Sequence, residues 1–454
     1  MKTQQPQNST AVLGQENIGK LFLQTAIPIS IGLLVVGFYN LVDGIFIARY
    51  VGEDAVGSVS LVFPIQIAIS AIGAMISAGT ASIITRHIGC SEMHKAGTVA
   101  GHALQIAAIG SVLCVFVGWY YIEPILELLS VDAEFYKNAR LYLQPIVLTA
   151  GVSLFLPVAA DFFRAEGKAN AMMSLLLTSS ILNIVFDYLL IAQFDMGVVG
   201  AAYATIIAQF VAILFAVVLY KRNKLDIRIT WELSLAKWGP IFALGFPILI
   251  AQGSMGLHSA LVNYKFSIYG TADWIIAYGM IGRVAGFTFL PLIAMLIAFQ
   301  TICGFNLGAL KLDRVKQSIK VATKYMTAYA CVITLLLLLF PRIAMSLFTQ
   351  DPTFIMTGES LIYSTIWGLP LAGISMIATG FYQAKGHAMQ AAFYSGLRVL
   401  IILPPLLWLL PSMLGLSGIF IAIVAADLLN SLITLLLCLT PYNRLNVKEE
   451  FSVA

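Results

Sequence analysis

Charge is what this sequence has least of. Asp, Glu, Lys and Arg together make up 11% of its 454 residues, against roughly 25% in soluble domains. So few charged side chains cannot cover a water-exposed surface, which excludes an ordinary soluble enzyme. At 59% hydrophobic residues a disordered chain is excluded as well. The net charge is only +4, and Lys and Arg form no stripe that could follow phosphates, so no nucleic-acid partner is expected.

Cysteine and histidine are scarce too, at five each. Cys90, Cys114, Cys303, Cys331 and Cys438 form no CxxC pair and are odd in number, so they read as small packing residues rather than a disulfide framework or zinc site. Only His102 and His258 fall inside apolar stretches, too few for a metal cluster. Gly14-x-x-x-x-Gly19-Lys20 begins like a phosphate-binding loop, but Leu21 stands where Ser or Thr would hold Mg²⁺ and no strand precedes it. His-Glu-x-x-His and Gly-x-Ser-x-Gly are both missing. Neither an enzyme nor a resident cofactor is expected.

Long apolar runs are what the sequence does have. A bilayer core needs about 20 apolar residues per helix. Twelve stretches qualify, near 21–50, 56–84, 96–121, 137–163, 169–193, 197–220, 238–268, 274–307, 315–341, 354–384, 388–411 and 415–439. The first is far longer than the 7–15-residue core of a signal peptide, so it reads as a retained span. No stretch alternates like a barrel strand. The fold class expected is an all-α integral membrane protein with twelve transmembrane helices. With the N-terminus inside, 19 of the 26 Lys and Arg fall on the cytoplasmic side and 5 outside, with Arg283 and Arg398 inside helices. That asymmetry puts both termini in the cytoplasm.

The chain also repeats itself. Pro28 recurs as Pro247, and Gly89 recurs as Gly308 at the same spacing. Phe162-Phe163-Arg164-Ala165-Glu166-Gly167 recurs as Phe381-Tyr382-Gln383-Ala384-Lys385-Gly386, again at that spacing. Gly197-x-x-Gly200 recurs as Gly415-x-x-Gly418, one position short of it. The expected organisation is a polar N-terminal tail (1–17), a six-helix N-lobe (18–222), a basic linker (223–236), a six-helix C-lobe (237–441) and a C-terminal tail (442–454). Two parallel halves of this kind are typical of transporters with a central binding site.

Ionisable side chains within the hydrocarbon are costly, so each points to a function or a partner. Asp43 lies about seven residues before the outer end of the first span, and Asp187 about six before the end of the fifth. Asn183 precedes Asp187 by four, on the same helix face. Thr205 enters the sixth span at a similar depth. Two carboxyls, an amide and a hydroxyl can therefore share one pocket. Two close carboxyls resist ionising together, which makes a proton site, and the same oxygens also suit Na⁺. Asp161, one turn from Arg164, reads as an ion pair. Asp427 pairs with Arg398 either as a structural clasp or as a second coupling element, and Arg283 reads as a gate or packing charge. Pro28 and Pro247 interrupt helices, as kinks or as hinges.

At these residues the sequence resembles the multidrug and toxic compound extrusion (MATE) transporters, in particular their DinF-like branch. The resemblance rests on the twelve spans in two lobes and on Tyr39-Asn40-Leu41-Val42-Asp43-Gly44-Ile45-Phe46-Ile47 with Tyr50-Val51-Gly52 after it. It rests further on Asn183-x-x-x-Asp187, followed by Gly197-x-x-Gly200-Ala201-Ala202-Tyr203-Ala204-Thr205. It implies a V-shaped pair of lobes and alternating access to a central cleft. It also implies a secondary antiporter, with export of amphipathic, mostly cationic drugs in exchange for H⁺ or, second, Na⁺. By position Asp43, Asn183, Asp187 and Thr205 match the N-lobe cation site, Tyr142 and Asn40 are neighbours of that network, and Pro28 matches a bend in the first helix. Other branches place an acidic pair in the C-lobe. Here the seventh span offers Gln252 and no acid, and the tenth only Glu359 near its end, which favours N-lobe coupling.

Phe63, Gln66 and Gln252 are expected to line the cleft. A monomer in the inner membrane of a prokaryote is expected, with small-molecule drugs, organic cations and the lipid bilayer as partners. The alternative is a lipid-linked precursor flippase of the related superfamily, which needs a strongly cationic cleft, whereas Arg283 and Arg398 are the only basic residues deep in helices.

Overall fold

The computed structural model describes residues 9–129, 133–222, 225–232 and 234–444. Over these residues every regular element is a helix, with no β-strand. Asn223 and Lys224 of the basic linker, residues 1–8 and the end of the C-terminal tail from 445 onward lie outside the described residues.

The helices are α1 (Ser9–Gln15), α2 (Ile18–Tyr50), α3 (Glu53–Gly89), α4 (Met93–Leu128), α5 (Ala133–Leu148), α6 (Ala150–Ala165), α7 (Ala169–Asp187) and α8 (Gly197–Lys221). After the linker follow α9 (Gly239–Tyr269), α10 (Ala272–Gly308), α11 (Leu312–Leu339), α12 (Pro341–Ser346), α13 (Pro352–Thr365), α14 (Ala372–Lys385), α15 (Ala388–Gly396), α16 (Leu403–Leu414) and α17 (Leu416–Arg444). Eleven helical stretches are long and apolar enough to cross a bilayer, and a twelfth forms if the bent pair α5 and α6 counts as one span.

That pair bends by 51°. Thr149, between the two helices, has φ −116° and ψ 19°, outside the helical region. Its hydroxyl donates to the Pro145 carbonyl at 2.6 Å, and its N–H donates to the same oxygen at 3.0 Å. The fifth and eleventh spans each contain a π-helical stretch, at Tyr188–Gln193 and Leu397–Ile402, and the tenth contains a 3₁₀ segment at Ile366–Leu371.

Two compact units divide the chain. Unit 1 comprises Met1–Leu13 and Ile27–Gly245, and unit 2 comprises Gly14–Ala26 and Phe246–Ala454. The first quarter of α2 therefore belongs to unit 2, and the first turns of α9 to unit 1. Both changes of allegiance fall just before a helix-interior proline, Pro28 and Pro247. Of the N-terminal stretch 1–17, read as a polar tail, Ser9–Gln15 is helical and Leu13 is buried. Gly14 lies in the last turn of that helix, and Lys311 Nζ donates to its carbonyl at 2.9 Å, so the Gly14-to-Lys20 segment has no phosphate-loop shape.

The sequence repeat has a structural counterpart at two glycines. Gly167 and Gly386, a matched pair of the repeat, follow α6 and α14 with φ of +78° and +90°. Lys168 N–H returns to Phe163 O at 2.9 Å and His387 N–H to Tyr382 O at 2.8 Å, so both helices end in the same left-handed cap. Just before Gly167, the expected Asp161–Arg164 pair is present and buried, with Nε and Nη2 donating at 2.6 and 2.9 Å, and Ser77 Oγ donates to the same carboxylate.

In unit 1, residues 225–232 of the linker form a strap. Glu166, with no exposure, accepts from the backbone N–H of Asp226 at 2.9 Å and of Ile227 at 2.6 Å, and pairs with Lys168 at 2.5 Å. Thr230 N–H donates to Gly97 O at 3.2 Å, and the hydroxyls of Thr98 and Thr230 meet at 2.9 Å. A Cβ on Gly97 or Gly101 would fall 1.9 or 2.0 Å from the carbonyl oxygen of Arg228 or Thr230, so only glycine lets the strap lie on α4.

Candidate functional site

Five helices of unit 1 bring polar side chains to one place. Asp43 lies on α2, two turns before its end at Tyr50, and Asp187 is the last residue of α7 before the π-helical stretch. Such stretches frequently interrupt helices at functional sites. Asp187 and Asn183 are 0% and 2% exposed, and Thr205 on α8 is buried as well.

The two carboxyl groups lie within hydrogen-bonding reach of each other. On each of them Oδ1 is shielded from solvent and has no donor. The Asn183 amide bridges the rest. Oriented to satisfy its neighbours, Nδ2 donates to Asp187 Oδ2 at 3.2 Å, and Oδ1 accepts from the Thr205 hydroxyl at 3.2 Å and the Thr205 N–H at 3.3 Å. Two ionised carboxylates bring no hydrogen to their own contact. Either one proton between them or a cation would supply what the two Oδ1 atoms lack. The oxygens of Asp43, Asp187 and Thr205 are hard donors of the kind a small alkali cation takes. No group of three or more His, Cys, Asp or Glu suited to a metal occurs among the described residues.

Around this core stand Tyr142 and Gln66. The Tyr142 hydroxyl donates to Gln66 Oε1 at 3.2 Å, and Tyr142, 2% exposed, lies within electrostatic reach of Asp43, Tyr39 and Asp187. Gln66, expected in the cleft lining, is thus a partner of the network. Tyr39 has no role in the sequence reading, yet it lies within electrostatic reach of both carboxyls. Its position four residues before Asp43, one turn away on the same face, is the signal that could have found it. Asn40 lies beside Tyr39 and bonds its own helix, Nδ2 to Val36 O at 2.8 Å.

Unit 2 holds a different constellation. Arg398, in the second π-helical stretch, pairs with Asp427 of α17 through Nε, as the sequence suggested. Arg398 Nη1 also meets His258 Nδ1 at 3.4 Å, and His258 Nε2 meets the Tyr278 hydroxyl at 2.6 Å. Guanidinium only donates, so Nδ1 accepts and the ring proton sits on Nε2, facing Tyr278. His258 is the repeat counterpart of Tyr39, at the spacing that relates Pro28 to Pro247, so the two clusters occupy related places in the repeat. Arg283 is exposed on α10 with no acidic partner among the described residues. Phe63 is exposed on α3 of unit 1, whereas Gln252 is half-buried on α9 of unit 2.

Comparison with known proteins agrees with this architecture. The family model described as MatE matches residues 28–189 and again 247–409, so its two matches begin on the repeated prolines Pro28 and Pro247. The multidrug export protein MepA of Staphylococcus saprophyticus is 26% identical over 440 residues, 96% of each chain. A MOP superfamily transporter from Pyrococcus furiosus has a TM-score of 0.91 at 24% identity, covering 98% of this chain and 100% of that one. An outward-facing multidrug resistance MATE family transporter of the MOP superfamily also gives 0.91 at 24% identity, covering 97% and 99%. A family model that matches once in each half, on a fold of twelve spans and over nearly the whole chain, places this protein in the MatE family of membrane transporters.

Proposed function

We propose that this transporter is a secondary antiporter that exports amphipathic, mostly cationic organic compounds by alternating access, with H⁺ as the preferred coupling ion and Na⁺ as the second choice. The observation that carries the reading is the close approach of half-buried Asp43 to buried Asp187, with one shielded, donor-less oxygen on each. Taking up a proton completes that contact, and losing it leaves two like charges together. Asn183 and Thr205 hold Asp187 in place, while Asp43 rides on α2, beyond Pro28. Helix bending at Pro28 would turn a change of protonation at Asp43 into a change of conformation. The excess of Lys and Arg on one set of loops supports cytoplasmic termini in a prokaryotic inner membrane. The flippase alternative loses support because Asp427 neutralises Arg398, one of the two deep cations it would need.

Everted vesicles with a preformed pH gradient, read by a quenched dye, test the proposal. Adding ethidium or a fluoroquinolone to wild type is expected to dequench the dye without Na⁺. Asp43→Asn is expected to abolish that signal while reaching the membrane in normal amount. Normal efflux by Asp43→Asn would overturn the assignment, and efflux that appears only with Na⁺ would make the same oxygens a sodium site.

A further inference from the structure

Unit 2 contains a buried charge that neither cluster uses. Lys265 lies on α9, one turn before its end at Tyr269, and is 5% exposed. Its ammonium sits 4.0 Å from the centre of the Trp408 ring on α16 and 5.7 Å from that of Tyr264. The two rings stack at 28° with centroids 6.3 Å apart, and each is more than half exposed. No carboxylate lies within 4 Å of Lys265 among the described residues. Ring faces attract a cation but accept none of its three hydrogens in a directed bond and cancel no charge. A lysine that merely snorkels would hold its head group in water, whereas this one is covered by Trp408.

The repeat makes the charge more telling. At the spacing that relates Pro28 to Pro247, the counterpart of Asp43 is Val262, fully buried, and that of Asp187 is Leu406. The acidic pair of unit 1 is therefore apolar in unit 2. The next charge along that face of α9, one turn on, is Lys265. Because Arg398 and Asp427 cancel each other, the unbalanced buried charge of unit 2 is positive. On the exposed side of α9, Leu257, Tyr264 and Ile268 follow at helical spacing and form an apolar strip beside the ammonium.

We propose that Lys265, Trp408 and Tyr264 form a binding site for the anionic group of an amphiphile. A phosphate, carboxylate or sulfonate oxygen pairs with the ammonium, and the apolar body lies on the exposed rings and along the strip to Ile268. The anion can belong to a phospholipid of the bilayer or to a dissolved amphiphile, since the chemistry is shared. The site involves neither Asp43 nor Asp187 and stands or falls independently of the coupling assignment.

The test uses full-length protein in phosphatidylcholine nanodiscs, titrated calorimetrically with octyl phosphate, with octyl glucoside as the uncharged control and empty nanodiscs subtracted. Saturable binding of octyl phosphate is expected, about tenfold or more weaker in Lys265→Gln, as for loss of one charge-assisted contact. Lys265→Arg should retain binding, and Trp408→Leu should weaken it. If Lys265→Gln does not fold, the contrast between Lys265→Arg and Trp408→Leu decides. With phosphatidylglycerol added to the disc, a weaker apparent affinity in wild type identifies a lipid occupant, and an unchanged one a dissolved anion. Equal binding of phosphate and glucoside, or equal binding by Lys265→Gln and wild type, would overturn the proposal.

Discussion

Asn183 joins two helices with one amide, its nitrogen on Asp187 of its own helix and its oxygen on Thr205 of α8. This much was legible in the sequence, because residues four apart share a helix face and a carboxylate in an apolar helix needs a partner. The pairing of Gln66 with Tyr142 was not, since an aromatic or an amide in a membrane helix carries no cost that marks it. The tie of His258 to Arg398 was also hidden, because it joins residues 140 positions apart. Arg398 and Asp427 offer a direct energetic check. Their side chains are 27% and 17% exposed, so removing one partner strands a largely buried charge, at a cost of about 3–5 kcal/mol. Arg398→Met and Asp427→Leu are each expected to lower stability by that order, and the double variant to recover most of it. Thermal unfolding of all four proteins measures the cycle, and strictly additive losses would mean that the two charges do not support each other.

Among the elements, the linker departs furthest from its sequence reading. The sequence reads only as a basic linker here, yet residues 225–232 lie along α4 and are held at Asp226 and Ile227 by Glu166. Nothing local in the sequence announces this, because the acceptor lies far upstream and the groove is two glycines on another helix. Burial pushes the Glu166 carboxyl above its ordinary range, against the pull of Lys168 and the two amides. An acid raised in this way binds its proton more tightly when folded than when unfolded. Its contribution to stability is therefore present below the ordinary carboxylate range and lost as pH rises through the folded value. Glu166→Gln no longer titrates and keeps an acceptor for one of the two amides, its NH₂ standing in place of the other oxygen. Relative to it, wild type is expected to lose melting temperature as pH rises from about 4, whereas Glu166→Ala should speed hydrogen exchange at Asp226 and Ile227 at any pH. Unchanged exchange in the alanine variant would count against the clamp. The spans themselves were legible from apolar length alone, but the π-helical stretches were not, since they follow from packing rather than composition.

At the scale of the whole molecule, the sequence repeat, the paired left-handed caps and the double family match describe one duplication whose halves have diverged in charge. Unit 1 keeps two acids where unit 2 has Val262 and Leu406. That divergence is legible in the sequence, but the division at Ala26/Ile27 and Gly245/Phe246 is not, because it depends on which partner each helix end touches. A break in the covalent chain between residues 223 and 224 would not yield two self-sufficient proteins. The first fragment would carry Gly14–Ala26, whose neighbours are on the second, and the second would carry the strap and Gly239–Gly245, whose neighbours are on the first. Each fragment would be the other's missing piece. Co-expressed, the two are expected to co-purify and restore efflux, while either alone is degraded. Stable accumulation of a lone fragment would show that the exchanged ends are dispensable. If they are not, selection cannot have reshaped one copy of the duplication without testing it against the other.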